Sequence, residues 1–137
     1  MKISLASDHA GFEQKQQLVD YLARKGFDVI DRGPDSDDRV DYPDYALSVA
    51  KDVQSGFADR GVLVCGTGIG MALAADKVPG DFAVLCREHN DANVITLSGR
   101  FVSIEENERI LDAFLVTEFA GGRHAQRVEK INALDKE

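Results

Sequence analysis

Three observations along the 137 residues predict a doubly wound α/β domain. Short apolar runs alternate with amphipathic segments from end to end. Chemically active residues follow directly on several of those runs, as in Ser7-Asp8-His9-Ala10-Gly11 and Cys65-Gly66-Thr67-Gly68-Ile69-Gly70. No repeat, low-complexity tract or linker interrupts the pattern. Alternation of strand and helix implies a parallel sheet covered on both faces, and the length suits one domain spanning 1–137.

The elements follow in order. Residues 3–7 read as a first strand. Residues 12–25 read as a helix, with Leu18, Val19 and Leu22 at helical spacing and Gly26 as its stop. A short strand at 27–30 leads into an Asp-rich loop at 31–43, broken by Gly33-Pro34. A helix at 44–53 precedes the third strand, 61–64. The glycine-rich turn then opens an Ala-rich helix at 71–77. Strands are expected at 82–86 and 93–97, and helices at 105–116 and 126–134. Together these make a Rossmann-like three-layer sandwich with a five-stranded parallel sheet.

Ligands in such sheets bind beyond the carboxyl ends of the strands. Asp8-His9 follows the first strand, Cys65-Gly66-Thr67 the third and His89-Asn90 the fourth, so the chemistry is expected at one edge. One stretch does not fit. Only seven residues separate Cys86 from Val94, whereas a parallel crossover takes about a dozen or more. Either these two strands are not parallel neighbours, or residues are missing between them.

Composition narrows the function. The chain is 44% hydrophobic and 29% charged, with a net charge of -8. A nucleic-acid surface needs a positive field, so none is expected. An anionic small molecule is compatible, because a few placed arginines govern a local site. No run approaches the roughly 20 apolar residues of a membrane span, and the N-terminus turns polar too early for a signal peptide. The two cysteines, Cys65 and Cys86, read as thiols in a reducing compartment, and a cytoplasmic location is expected.

Cys65 stands between a strand and a row of backbone N–H groups that would form an anion-binding nest at a helix N-terminus. A thiol there should ionise more easily than a free cysteine. A base facing an anion hole is what proton abstraction beside a carbonyl requires. The opposing reading is a buried, inert cysteine. The glycines do not match a dinucleotide fingerprint, because the spacing differs from G-x-G-x-x-G and the turn follows the third strand. Cys86 has no comparable neighbour and reads as core. No C-x-x-C or H-x₃-H spacing occurs, so no zinc site is expected.

Asp8 and His9 read equally as a capped turn or as ligand-binding groups. His89-Asn90-Asp91 could be a plain turn, although two of the chain's three histidines fall at predicted strand ends. Arg123 and Arg127 are four residues apart, either as a solvated basic face or as a phosphate clamp opening the last helix.

These segments, with Asp41-Tyr42-Pro43, Arg87-Glu88-His89-Asn90-Asp91-Ala92-Asn93, Gly99-Arg100 and Gly122-Arg123-His124, resemble ribose-5-phosphate isomerase B and the related galactose-6-phosphate isomerase subunits. The resemblance implies a reversible aldose–ketose isomerisation of a sugar phosphate, ribose 5-phosphate first, without metal or organic cofactor. It implies Cys65 as the base, and His89 as the acid/base that opens the furanose ring. The turn from Gly66 through Gly68 and Ile69 to Gly70 would hold the oxyanion, with Thr67 beside it. Asp8, His9 and Asn90 would bind sugar hydroxyls or the ring oxygen. Arg100, Arg123 and Arg127 would bind the phosphate, and Tyr42 would line the site. It further implies a homodimer or homotetramer with pockets built from two subunits, His89, Asn90 and Arg100 serving the partner's, and a C-terminal helix (about 123–135) packed on that partner. Galactose 6-phosphate or allose 6-phosphate isomerisation, as one subunit of a heteromer, and non-catalytic sugar-phosphate binding are the alternatives. Members of that family carry a longer, helix-forming segment before the Arg-Glu-His-Asn-Asp motif. A true deletion would displace His89, so the expectation is a break between Cys86 and Arg87, with consecutive Cα atoms well beyond the bonded 3.8 Å.

Overall fold

The protein is described by a computed structural model covering residues 1–67 and 80–134. Its four parallel strands are β1 (Lys2–Ser7), β2 (Asp28–Asp31), β3 (Arg60–Cys65) and β4 (Val94–Ser98), in the order β2-β1-β3-β4. The helices are α1 (Phe12–Arg24), α2 (Tyr42–Gln54), α3 (Gly80–Asn90), α4 (Ile104–Val116) and α5 (Ala125–Leu134). One 3₁₀ turn, His9–Gly11, leads into α1 and another, Gly122–His124, leads into α5.

Strand side chains alternate between faces. Ile3, Leu5, Val62, Val64, Ile95 and Leu97 point to one face, against Leu18 and Leu22 of α1 and Ile110, Leu111 and Phe114 of α4. Ala6, Leu63 and Cys65 point to the other, against Ala46 and Val49 of α2. The smaller residues on that second face let α2 lie close. Each fully buried Leu, Ile or Phe contributes about 1.5–3 kcal/mol of transfer free energy. Gly26, at φ +85°, ends α1 where the sequence predicts the stop.

Two charge clusters hold the crossover after β2. Lys15, fully buried on α1, donates from Nζ to Asp31 Oδ2 (2.6 Å), Asp31 Oδ1 (2.8 Å) and Pro34 O (2.9 Å). Arg32 donates to both oxygens of Asp52 on α2 at 2.7 Å, and Ser4 Oγ donates to Asp52 Oδ2 at 2.6 Å. Arg32 and Ser4 hold the Asp52 carboxyl below the usual carboxylate range, against the opposing effect of burial. Ser7 N donates to Gly33 O at 3.0 Å. The 31–41 loop is thereby fixed at the carboxyl edge of the sheet.

The expected strand at 82–86 is instead part of α3, and the sheet has four strands, not five. An apolar run of five residues satisfies either pattern, and the short connection decides between them. The chain must return to the amino edge to start β4 in parallel. Eleven helical residues rise about 16 Å, enough to run back alongside β3. The expected break between Cys86 and Arg87 is also corrected. α3 runs through both residues, Asp91 N donates to Arg87 O at 3.1 Å, and Ala92 N donates to Cys86 O at 3.2 Å. Asp91, at φ +51°, closes the helix. Cys86 packs against the main core, as expected. The helix predicted at 71–77 lies outside the described residues.

The 3₁₀ turn before α1 lies directly on β3. A Cβ on Gly11 would stand 2.7 Å from Val64 O, 2.8 Å from Val64 C and 2.9 Å from Val64 Cγ1. Gly11→Ala is therefore expected to destabilise the fold by about 1–3 kcal/mol through overpacking. Urea unfolding should show a lower midpoint, and an unchanged midpoint would contradict this packing.

Candidate active site

Three strand ends meet at the carboxyl edge. After β1, the Asp8 backbone N–H donates to Val64 O (3.1 Å), and its carboxylate accepts from Gly11 N (3.0 Å), capping the 3₁₀ turn. The capping role expected of Asp8 is thus present, and it aims His9 out of the edge. His9 Nδ1 accepts from Val40 N at 3.5 Å, so the 31–41 loop reaches over this edge. Tyr42, 38% exposed, follows as the first residue of α2.

After β3 come Cys65, Gly66 and Thr67. Gly99 N donates to Cys65 O (2.8 Å), Arg100 N to Gly66 O (3.0 Å) and Ser98 Oγ to Gly66 O (3.1 Å). The turn after β4 is thus locked onto the turn after β3. The Arg100 side chain lies along Gly66, where an added Cβ would stand 3.2 Å from its Cδ. Gln14 Nε2 donates to Gly99 O (3.1 Å) and Val102 O (3.0 Å). Asn107 Nδ2 donates to Gln14 Oε1 (2.6 Å) and Ser98 O (2.9 Å). Gln14 and Asn107 fix the loop that carries Arg100, and the sequence patterns did not single them out. Cys65 is 5% exposed and packs with Ala6, Ala46, Val49 and Leu63. Thr67 is exposed. Gly68, Ile69 and Gly70, expected to present the anion-holding amides, lie outside the described residues.

His89 and Asn90 sit elsewhere. They occupy the last turn of α3, which feeds the start of β4. Val94 pairs with Gly61, and Gly61 N donates to Asn93 O at 2.9 Å. They therefore approach the amino edge, not the carboxyl edge expected from the sequence. Gly61 and Cys65, at the two ends of β3, are about 13 Å apart at roughly 3.3 Å per residue.

A second cluster forms around His89. Its ring stacks on that of His124, with centroids 4.0 Å apart and planes 9° from parallel. Arg123 Nε lies 3.4 Å from His124 Nε2. Arg123 falls in the 3₁₀ turn and Arg127 in the first turn of α5, which follows it directly. Both charges bear on His124. Burial foremost, then His89, Arg123 and Arg127, lower the His124 pKa below its usual 6.5, while Glu88 opposes. Arg87, only 3% exposed, ties the segment down. It donates to Thr117 O (3.2 Å), Asp91 Oδ1 (2.8 Å) and Ala92 O (2.5 Å). His124 was visible only as the middle of Arg123-His124 in the sequence, and its burial was not.

Among the described residues, no helix is long and apolar enough to cross a membrane, and no three His, Cys, Asp or Glu side chains gather as a metal site would need. A doubly wound parallel sheet with a thiol and imidazoles at its strand and helix ends, and arginines that enter no ion pair among the described residues, defines a class of small-molecule α/β proteins. The particular family follows from comparison. The profile described as Ribose/Galactose Isomerase matches residues 3–131. Ribose-5-phosphate isomerase B of Escherichia coli (strain K12) is 44% identical over 144 residues, covering 98% of this chain and 97% of the relative. The solved ribose-5-phosphate isomerase B of Clostridium thermocellum superposes with a TM-score of 0.93 at 45% identity, over 99% of this chain and 98% of that one. That of Mycoplasma genitalium, with bound ribulose-5-phosphate, gives 0.92 at 42% identity, over 99% and 97%. The chain belongs to the ribose/galactose isomerase family.

The lowered His124 pKa sets a pH dependence of stability. Below pH 6.5 the unfolded imidazole takes up a proton while the folded one still resists. The unfolded state then binds more protons, and stability is lost as pH falls from 6.5 towards the folded pKa; above 6.5 the contribution vanishes. Urea titrations at a series of pH values should show a steeper acid-side loss for the wild type than for His124→Leu. Parallel curves would refute it.

Proposed function

We propose that the chain is an aldose–ketose isomerase that interconverts ribose 5-phosphate and ribulose 5-phosphate through an enediolate. The observation that carries this is the near end-to-end match to ribose-5-phosphate isomerases B, one of them solved with ribulose-5-phosphate bound. A galactose 6-phosphate reaction is the second reading, favoured by the breadth of the matching family.

The roles follow from chemistry. His89 protonates the furanose ring oxygen as the anomeric hydroxyl loses its proton, so the C1–O bond to the ring breaks and C1 becomes an aldehyde. The Cys65 thiolate takes the C2 proton, and the electron pair forms the C1–C2 double bond of the enediolate. The O2 proton passes to O1 and Cys65 returns the abstracted proton to C1, leaving a hydroxyl on C1 and the ketone at C2. The turn from Gly66 to Gly70 carries the oxyanion, with Thr67 beside it. Asp8, His9 and Asn90 bind sugar oxygens, and Tyr42 lines the pocket. Arg100, Arg123 and Arg127 bind the phosphate, whose binding energy holds the reacting carbons against the base.

Cys65 and His89 approach opposite edges of the sheet, so we place each active site between two copies of the chain. One contributes Asp8, His9, Cys65 and Thr67, and the other His89, Asn90, Arg123 and Arg127. Arg100 lies with Gly66 of its own chain and reaches the phosphate from there or across the interface. The chain acts as one domain, and α5, with Ile131 57% exposed, packs on the partner.

Cys65→Ala should lower kcat about 10²–10⁴-fold while ribulose 5-phosphate still binds. Unchanged turnover would remove Cys65 as base, and lost binding with intact folding would favour a different site. Cys65→Ala and His89→Asn chains, each inactive alone, should recover activity when unfolded together and refolded. Reassortment into two-fold dimers leaves about a quarter of all sites intact. No recovery, with mixed dimers shown to form, would place both residues in one chain's pocket.

A further inference from the structure

We propose that His124 is a positioning residue for His89, its flat imidazole being the platform that fixes the plane of the His89 ring. The proposal deepens the isomerase reading and rests on it. A histidine's second side-chain torsion is broad, so a half-buried imidazole at a helix end does not by itself hold a proton-transfer atom in one direction. Here the stack does so, with centroids 4.0 Å apart and planes within 9°.

The platform is itself anchored. His124 is 7% exposed, and its backbone N–H donates to Gly121 O at 3.0 Å. Ala120 N donates to Glu88 O at 3.0 Å, and Arg87 Nε donates to Thr117 O at 3.2 Å. These two bonds join the segment before His124 to the helix turn that carries His89, one on each residue preceding His89. The ring nitrogens of His124 are not offered to a ligand. Nε2 faces the Arg123 Nε–H, and Nδ1 is buried without a hydrogen-bond partner among the described residues. That pattern assigns the neutral ring with its proton on Nδ1. The group presents its flat face to His89. Misplacing a reacting group by about 1 Å costs on the order of 10²-fold in rate, so a lost platform registers in turnover.

The test compares wild type, His124→Phe and His124→Leu. Phe keeps a flat ring and lacks nitrogen, whereas Leu keeps bulk and lacks the ring. With ribose 5-phosphate, H124L should lose about tenfold or more in kcat with KM within threefold, and H124F should stay within about threefold of wild type. A damaged H124F equal to H124L would mean that a His124 nitrogen is needed, and an undamaged H124L would mean that no platform is; either overturns the proposal. Without substrate, the ring C–H resonances of His89 should move in H124L and move little in H124F, because the stacked ring current is lost only in the former. Unmoved resonances in H124L overturn the stack whatever the kinetics, and thermal melts confirm that both variants are folded. Wild type that is inactive on ribose 5-phosphate with the stack intact defeats the isomerase reading itself, and the role given to His89 with it. Active wild type with an indifferent H124L defeats the positioning role alone.

Discussion

The interlock of three chain segments at the carboxyl edge of the sheet is the constraint on which the rest depends. Gly11 presses against the Val64 carbonyl, and Gly99 would bring a Cβ to 3.1 Å from the Gly11 Cα and 3.3 Å from Ala10 O. A side chain at Gly11 would collide with the β3 backbone, and one at Gly99 would fit only if its neighbours gave way by a few tenths of an ångström. Because the turns after β1, β3 and β4 touch through backbone, Asp8, Cys65 and Arg100 leave the sheet at fixed positions. The side-chain bonds from Gln14 and Asn107 then hold the outer loop from behind, on the α1 and α4 side. The edge is therefore a rigid frame built before any catalytic group is considered.

Charge is distributed to match. The chain carries a net charge of -8, yet its structural cations are already spoken for: Lys15 with Asp31, Arg32 with Asp52, Arg87 with Asp91. Arg100, Arg123 and Arg127 enter no ion pair among the described residues. In an acidic protein, arginines left without a carboxylate partner would suit a dianionic ligand, which would supply the missing charge and accept two-pronged hydrogen bonds. The surrounding negative surface keeps that preference local.

Much of this was legible in the sequence, for physical reasons. The short apolar runs at 3–7 and 61–64 and the helical spacing in 12–25 record which side chains meet the core, so strands β1 and β3 and helix α1 emerge within a residue or two. The cap at Asp8 and the stop at Gly26 are local backbone chemistry and were equally readable. The segment 82–86 was not, because five apolar residues suit a buried strand and a buried helix alike. The clue that could have decided it was the seven-residue gap to Val94, which leaves no room for a strand followed by a crossover. His89 was misplaced for the same reason: a residue that follows a strand lies at the carboxyl edge, whereas one that ends a helix leading into a strand lies towards the amino edge. Gln14, Asn107 and His124 act through contacts more than 30 residues distant in sequence, which no local pattern records.

The shorter length of the chain against its aligned relative also bears on how the fold tolerates change. Aligned with the Escherichia coli relative, the 144 positions take in about 134 residues of this chain, 98% of 137, so the relative fills about ten positions that this chain leaves empty. The superposition with the Clostridium thermocellum structure remains close, at a TM-score of 0.93. Residues can be spared wherever the helix before β4 still reaches that strand and still delivers its last turn to the same neighbour. α3 meets both conditions. Its eleven residues lead the chain into β4, and its end is clasped by Arg87 and by the Ala120–Glu88 bond. What must be preserved is the place where His89 meets His124, and that is set by the clasp at the end of the helix, not by the length of chain that precedes it.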